Sequence, residues 1–272
     1  MNTVTTDDGV RLAYRVDGEA GAPPLLFVNS LGTDLRMWDP QAPRFGSDFR
    51  VIRYDARGHG RSGVPPGPYT VERLGMDVLV LLNELAIERA HVCGLSLGGL
   101  TTLWLAAHHG DRLRGAVFAN TAARIGTAEG WNARIAAVRG GGMAAIKETV
   151  LEHFFSPRFR YSNREVVEAI ANALLATNPT GYIAACAAVR DADLRSLVPA
   201  IRVPSLIVAG ALDESTPPDQ AEELHTAIRG SKLVVLDETA HLSNLEQPAP
   251  FNRVVLNFLK EHEPNSMRGE EI

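Results

Sequence analysis

The chain has 272 residues, of which 45% are hydrophobic and 22% charged, a balance that suits one compact α/β domain with a sizeable core and room for an insertion. Its 27 Lys and Arg against 32 Asp and Glu leave a net charge of -5 spread along the chain, so no basic stripe recommends a nucleic acid, and an anionic small substrate needs local cations. No basic region followed by an apolar run opens the chain, no apolar stretch approaches the roughly 18 residues of a membrane span, and Cys93 and Cys186 have no partners at metal-ligand spacing; a cytoplasmic protein without membrane association, disulfide or zinc site is expected.

In chain order, the first element is a hairpin: Val4 and its neighbours, a turn at Asp7, Asp8 and Gly9, then an alternating strand at 10–16. Short apolar runs follow at 25–28, 51–54, 90–94, 113–119, 205–209 and 233–236. Segments with helical spacing separate most of them, among them 71–85, 97–108, 217–228 and 251–259. This alternation predicts a mostly parallel sheet flanked by helices, with the hairpin adding antiparallel strands at one edge. Cys93 lies in an apolar run and reads as buried packing.

One stretch interrupts the alternation. Residues 121–197 are Ala-rich, Arg-rich and helical in pattern, without a convincing strand. A helical cap over 121–197, inserted into a core of 1–120 and 198–272, is therefore expected. Inside it, Gly140, Gly141 and Gly142 are expected to break any helix and to form a flexible joint.

The strongest local signal is Gly94-Leu95-Ser96-Leu97-Gly98, a G-x-S-x-G directly after the strand at 90–93 and directly before the helix at 97–108. The motif alone is weak, but this context makes Ser96 a candidate nucleophile at a helix N-terminus, with a helix N-cap as the alternative role. A serine hydroxyl is a poor nucleophile until a base takes its proton, and a carboxylate must orient that base. Among eight histidines, His241 follows the strand at 233–236 in the loop Glu238-Thr239-Ala240-His241 and is the candidate base; a surface-loop histidine is the alternative. His108 and His109 end a helix and suit its dipole, His59 lies in the loop Arg57-Gly58-His59-Gly60-Arg61, read as structural, and His91 and His225 lie within a strand and a helix.

Asp213 follows the strand at 205–209 through Gly210-Ala211-Leu212 and is the candidate carboxylate. Asp237, which ends the next strand, is its rival, and a turn-forming role for Asp213 is the alternative. The resulting order Ser, Asp, His is the one used with a strand-to-helix nucleophile elbow. Attack on a carbonyl also creates an oxyanion, which needs two preorganised N–H donors. The Leu97 amide comes with the elbow, and the Leu31 amide is expected from the loop Asn29-Ser30-Leu31-Gly32.

On these residues the chain resembles the α/β-hydrolase family and, within it, the 3-oxoadipate enol-lactone hydrolases of the β-ketoadipate pathway, over nearly its whole length. The more specific stretches are Asn29-Ser30-Leu31-Gly32-Thr33 with Met37-Trp38-Asp39, Tyr54-Asp55-Ala56-Arg57-Gly58-His59-Gly60, the elbow with Gly99, and the cap entry Asn120-Thr121-Ala122-Ala123-Arg124-Ile125-Gly126. General family members usually carry His-Gly where this chain has Asn29-Ser30, a departure that fits the enol-lactonase subgroup. The resemblance implies an α/β-hydrolase fold and a five-membered enol-lactone substrate with one acetate arm. Ser96 would attack the lactone carbonyl with His241 as base, the Leu31 and Leu97 amides would hold the oxyanion, and activated water would release 3-oxoadipate, with no cofactor or metal. Ser30 then belongs with the substrate-binding residues.

The acetate carboxylate needs a cation in an otherwise apolar pocket, because burying an unpaired charge is expensive. Arg134 is the first choice, with Trp131 as an apolar wall, and Arg124 is the second. Some lactonases of this kind are fused to a decarboxylase domain; the short polar tail after Leu259 implies the stand-alone form. Aryl esterases, perhydrolases, acyltransferases and carbon-carbon hydrolases of meta-cleavage products share the triad, and a hydrolase-like receptor can keep the fold. Dehalogenases and epoxide hydrolases, whose elbow carries Asp, are disfavoured by Ser96. The oligomeric state is not legible.

Overall fold

Residues 1–263 are described by the computed structural model, and their strands form one eight-stranded sheet. In chain order the strands are β1 Asn2–Thr5, β2 Arg11–Asp17, β3 Pro24–Val28, β4 Arg50–Tyr54, β5 Ala90–Leu95, β6 Leu113–Ala119, β7 Ser205–Gly210 and β8 Lys232–Leu236. In space they run β1-β2-β4-β3-β5-β6-β7-β8. β2 pairs antiparallel with β1 and β4, and every other neighbouring pair is parallel, so the hairpin sits at one edge of a mostly parallel sheet. β5 and β7 are buried at every residue, as expected of parallel strands covered on both faces, which is why they read as unbroken apolar runs.

The helices are α1 Ala42–Gly46, α2 Val71–Glu84, α3 Leu97–His108, α4 Ala128–Gly141, α5 Lys147–Phe154, α6 Pro157–Ser162, α7 Arg164–Ala176, α8 Pro179–Asp191, α9 Pro218–Ala227, α10 Ser243–Glu246 and α11 Pro248–Glu261. α3 is buried at nearly every position because it packs on β5 and β6 and is covered in turn by α2. α2 begins at Thr70, whose side chain accepts from the Arg73 amide and supplies one of the bonds that the first helical turn lacks. α11 buries Phe251, Val255, Leu256, Phe258 and Leu259, one face of an amphipathic helix. It starts at Pro248, earlier than the apolar spacing suggests, since proline in a first turn has no intrahelical N–H bond to lose. Residues 264–272, most of the polar tail, lie outside the described residues.

α4 to α8 all lie between β6 and β7, and no residue of 121–197, all of them described, is in a strand. The expectation for the glycine run needs correction. Gly140 and Gly141 end α4 without breaking it, and the chain leaves helical geometry only at Gly142, with φ +66° and ψ -167°. Two glycines in a final turn cost about 1 kcal/mol each against alanine, too little to stop a helix whose Ile135 and Val138 are buried.

The loop after β4 is fastened by buried charge. Arg57, 3% exposed, donates to both carboxylate oxygens of Asp77 on α2 and to Asp8 in the turn of the β1–β2 hairpin. Loop, helix and hairpin are thereby held in one arrangement. Among the described residues no helix is long and apolar enough to cross a membrane.

Candidate active site

Ser96 sits between β5 and α3 with φ 60° and ψ -115°, a strained backbone that costs about 1–3 kcal/mol unless its surroundings enforce it. They do: the Ser96 amide donates to the Ala119 carbonyl at 3.0 Å, and the Thr121 hydroxyl donates to the Ser96 carbonyl at 2.9 Å. Glycine is required where the turn closes. A Cβ on Gly94 would lie 2.0 Å from the Gly98 carbonyl oxygen, and one on Gly98 would lie 2.2 Å from that of Val28. The Ser96 side chain makes no capping bond to α3, so the N-cap role does not describe it.

His241, 2% exposed, lies in the loop between β8 and α10, and its Nδ1 is 2.8 Å from Asp213 Oδ2. Asp213 follows β7. Its Oδ1 accepts from the Ser215 and Thr216 amides at 2.9 and 3.0 Å, and its Oδ2 also accepts from Thr216 Oγ1 at 2.8 Å and Asn120 Nδ2 at 2.9 Å. Burial alone would raise this carboxyl, but His241 and the surrounding donors outweigh it and hold Asp213 below the usual carboxylate range. An ionised Asp213 keeps the imidazole proton on Nδ1 and leaves Nε2 free to act as a base. Asp237 is exposed, and the Thr239 hydroxyl and Gln247 amide that bond to it use its backbone carbonyl.

The loop of residues 29–32 follows β3. Among the described residues neither the Leu31 nor the Leu97 amide donates to a protein acceptor; Leu97 follows Ser96 in the chain, and Leu31 lines one cavity with Ser96. Asn29 anchors the loop: its Nδ2 donates to the Tyr54 carbonyl at 2.8 Å, and its Oδ1 accepts from Trp38 Nε1 at 3.0 Å. His59 holds the other end. Its Nε2 accepts from the Gly32 amide at 3.0 Å, which leaves Nδ1–H to donate to the Arg57 carbonyl at 3.1 Å. Burial lowers the His59 pKa and favours this neutral tautomer.

Ser96 and His241 open on one cavity of about 230 Å³, shared by Ser30 and Leu31 from the core and by Ile125, Trp131, Arg134, Val150, His153, Phe154 and Tyr182 from the helical stretch. The Arg134 guanidinium lies 4.9 Å from the centre of the Trp131 ring, and Trp131 Nε1 donates to the Ile125 carbonyl at 2.7 Å, which fixes the ring as a platform. Arg124 is a correction: it does not line this cavity. Its side chain is 45% exposed and faces Asp193 at 4.0 Å, because the 123–124 backbone runs alongside the 193–194 connection, where the Leu194 amide donates to the Ala123 carbonyl.

Several residues at the site escape a reading of the sequence. His153 is one: its Nδ1, like Oγ of the expected Ser30, is a buried polar atom without a partner among the described residues, and both residues line the cavity. Glu246 accepts from the Ser156 amide at 2.7 Å through one oxygen and from the Ala240 amide through the other, joining the helical stretch to the His241 loop. Asn120 had a signal available, since it stands at the carboxyl end of a legible strand, as Ser96 does. Among the described residues no group of three or more His, Cys, Asp or Glu side chains is placed to hold a metal ion.

A strained serine at a strand-to-helix turn, with an Asp-oriented histidine lining the same cavity on the carboxyl edge of a parallel sheet, is the arrangement of an α/β hydrolase. A family model described as alpha/beta hydrolase fold matches residues 23–248, and the chain belongs to this family. Within it, the chain is 42% identical over 259 residues to 3-oxoadipate enol-lactonase 2 of Acinetobacter baylyi, covering 95% of this chain and 96% of that one. The crystal structure of the enol-lactonase from Burkholderia xenovorans LB400 superposes with a TM-score of 0.93 at 42% identity, covering 95% of this chain and 100% of that one. The crystal structure of a hydrolase from Pseudomonas aeruginosa PA01 superposes with a TM-score of 0.92 at 47% identity, covering 95% and 97%.

Proposed function

We propose that this protein is a 3-oxoadipate enol-lactonase that opens its substrate through an acyl-enzyme on Ser96. The observation that carries the reading is a cavity in which a buried His241–Asp213 pair and Ser96 face a single lining arginine, Arg134, in a chain 42% identical to a 3-oxoadipate enol-lactonase. A triad alone supports ester hydrolysis of many kinds. The arginine, set among the apolar side chains of Ile125, Trp131, Val150 and Phe154 on a wall that also carries Glu214, is what suits a lactone with one carboxylate arm.

In this mechanism His241 Nε2 takes the Ser96 proton as Oγ adds to the lactone carbonyl, and the Leu31 and Leu97 amides hold the oxygen that becomes negative. Collapse breaks the ring carbon-oxygen bond and releases an enol oxygen, which takes the proton from His241 and tautomerises to a ketone. Water then adds to the acyl-enzyme, giving its proton to His241; collapse breaks the bond to Oγ, which takes that proton back, and the product acid ionises as the second carboxylate. Arg134 holds the acetate carboxylate throughout, with Trp131 as its wall and Ser30 beside the reacting end. Helices of 121–197 act as a cap that excludes water around this step. The proposed setting is cytoplasmic, with a small anionic lactone as substrate.

The test compares turnover of 3-oxoadipate enol-lactone, a simple aryl ester and a meta-cleavage dienoate by the purified protein. The lactone should be preferred by orders of magnitude, and Ser96→Ala should abolish its hydrolysis. Preference for either other compound, or lactone binding without turnover, contradicts the proposal.

A further inference from the structure

We propose that Asn120 is a positioning residue for the triad, one side chain that ties the acid to both flanks of the base. The proposal rests on the triad reading above. Asn120 is the first residue after β6, is 1% exposed, and has φ 43°, a left-handed backbone that asparagine tolerates better than most residues. Its amide donates to the Val208 carbonyl of β7 at 2.7 Å, which fixes the strained turn.

From that position the side chain reaches three places. Nδ2 donates to Asp213 Oδ2 at 2.9 Å and to the carbonyl of Ala240, immediately before His241, at 3.2 Å. Oδ1 accepts from the hydroxyl of Ser243, two residues after His241, at 2.5 Å. The oxygen of Asp213 that Asn120 contacts is the one that faces His241 Nδ1. The neighbours of Asn120 complete the pattern: the Ala119 carbonyl accepts from the Ser96 amide, and the Thr121 hydroxyl donates to the Ser96 carbonyl. Three consecutive residues at the end of β6 therefore grip the segments of nucleophile, acid and base.

The chemistry asks for a primary amide. The site needs two N–H donors, for a carboxylate and a carbonyl, and one acceptor for a hydroxyl, all on one planar group. A carboxylate in the ionised form would face Asp213 as a like charge, and a hydroxyl would reach one partner of the three. The titratable groups around this network are Asp213 and His241 themselves and Glu246 of α10, which holds the Ala240 amide; from the cavity side come Arg134, His153 and Glu214, while Phe154 presents only its ring to His241.

The test measures kcat and KM on the enol lactone together with the rate at which a p-nitrophenyl alkylphosphonate labels Ser96, each as a function of pH. Asn120→Ala should lower kcat and the labelling rate by about tenfold to a hundredfold, with KM changed less than about twofold, because the reacting groups are misplaced while the pocket is intact. Asn120→Asp gives the decisive readout. At low pH the introduced carboxyl keeps its proton and donates to Asp213, losing the bond to Ala240, so activity should stay within about fivefold of the wild type. As pH rises it ionises beside Asp213, and activity should fall along a limb the wild type lacks. If Asn120→Ala does not fold, Asn120→Asp and Ser243→Ala, expected to lose about fivefold in kcat at unchanged KM, carry the test. Wild-type rates in the Ala variant, or losses in the Asp variant that do not depend on pH, overturn the proposal. Phosphonylation does not need the lactone, so a wild-type protein that is labelled yet leaves the lactone intact contradicts the substrate reading alone.

Discussion

The ring of Phe154 lies 5.9 Å from the imidazole of His241 and within 19° of parallel to it. The contact is braced by the backbone, since the Leu242 amide donates to the Phe154 carbonyl at 3.0 Å. The imidazole is thus oriented on its edge by Asp213 and on its face by a residue from α5. Phe154→Ala should destabilise the fold by about 3–5 kcal/mol, and Phe154→Leu by less than about 1.5 kcal/mol. Both should lower kcat, because the face support is lost in each. Thermal unfolding and steady-state kinetics on the two variants separate packing from orientation.

His59 accepts from the Gly32 amide and so sets the loop that presents the Leu31 N–H. His59→Ala should lower kcat about tenfold without a comparable rise in KM, and His59→Gln, which keeps an acceptor, should recover part of the loss. Burial lowers the His59 pKa, so the accepting tautomer persists below the ordinary imidazole value of about 6.5 and fails only when acid finally protonates Nε2. Scaled to their own plateaus, the pH profiles of the Gln variant and the wild type should therefore differ only at the acid end.

Arg134 and Arg124 make a matched pair for testing the anion site. Arg134→Ala should raise KM for the enol lactone by about tenfold to a hundredfold, the loss of a charge-assisted bond, while leaving an uncharged aryl ester nearly unaffected. Arg124→Ala, with its partly exposed side chain facing Asp193, should leave both substrates unchanged. Initial rates on the two substrates decide it.

His91 links acid to stability far from the cavity. Its Nε2 lies 2.6 Å from Glu263, its Nδ1 has no partner among the described residues, and burial lowers its pKa. A histidine held neutral in the fold and free to protonate when unfolded stabilises the protein above the unfolded pKa, and this contribution is lost as pH falls through it. Urea midpoints should drop as pH is lowered from about 7 to about 5, by on the order of 1 kcal/mol in stability, and His91→Gln should flatten the slope.

Much of this was legible in the sequence, for reasons that also mark where legibility ends. Fully covered strands such as β5 and β7 announce themselves as apolar runs, and the residues at their carboxyl ends, Ser96 and Asp213, come together because a parallel sheet gathers those ends at one edge. Trp131 and Arg134 are three apart on α4 and share a face, so either one locates the other. Arg124 failed because it precedes the helix, where direction is set by the chain it packs beside rather than by periodicity. Gly140 and Gly141 failed because tertiary burial outweighed a weak propensity. His59 and Asn120 are contacts between segments distant in sequence, and nothing local to either residue encodes its partner.

The cavity is built from two parts of the fold. Ser96, Leu31 and His241 come from strand ends and the loops that follow them, whereas Trp131, Arg134, Val150, Phe154 and Tyr182 come from one continuous excursion between β6 and β7. Reactivity and selectivity are thus encoded in different parts of the gene. A lineage can rewrite the excursion, exchanging the proposed carboxylate receptor for a longer or uncharged pocket, while the strand-end residues pass on untouched. The places where such rewriting meets resistance are the few joints where the excursion touches the base, Phe154 on His241 and Glu246 beneath Ser156, so drift should be freest away from them.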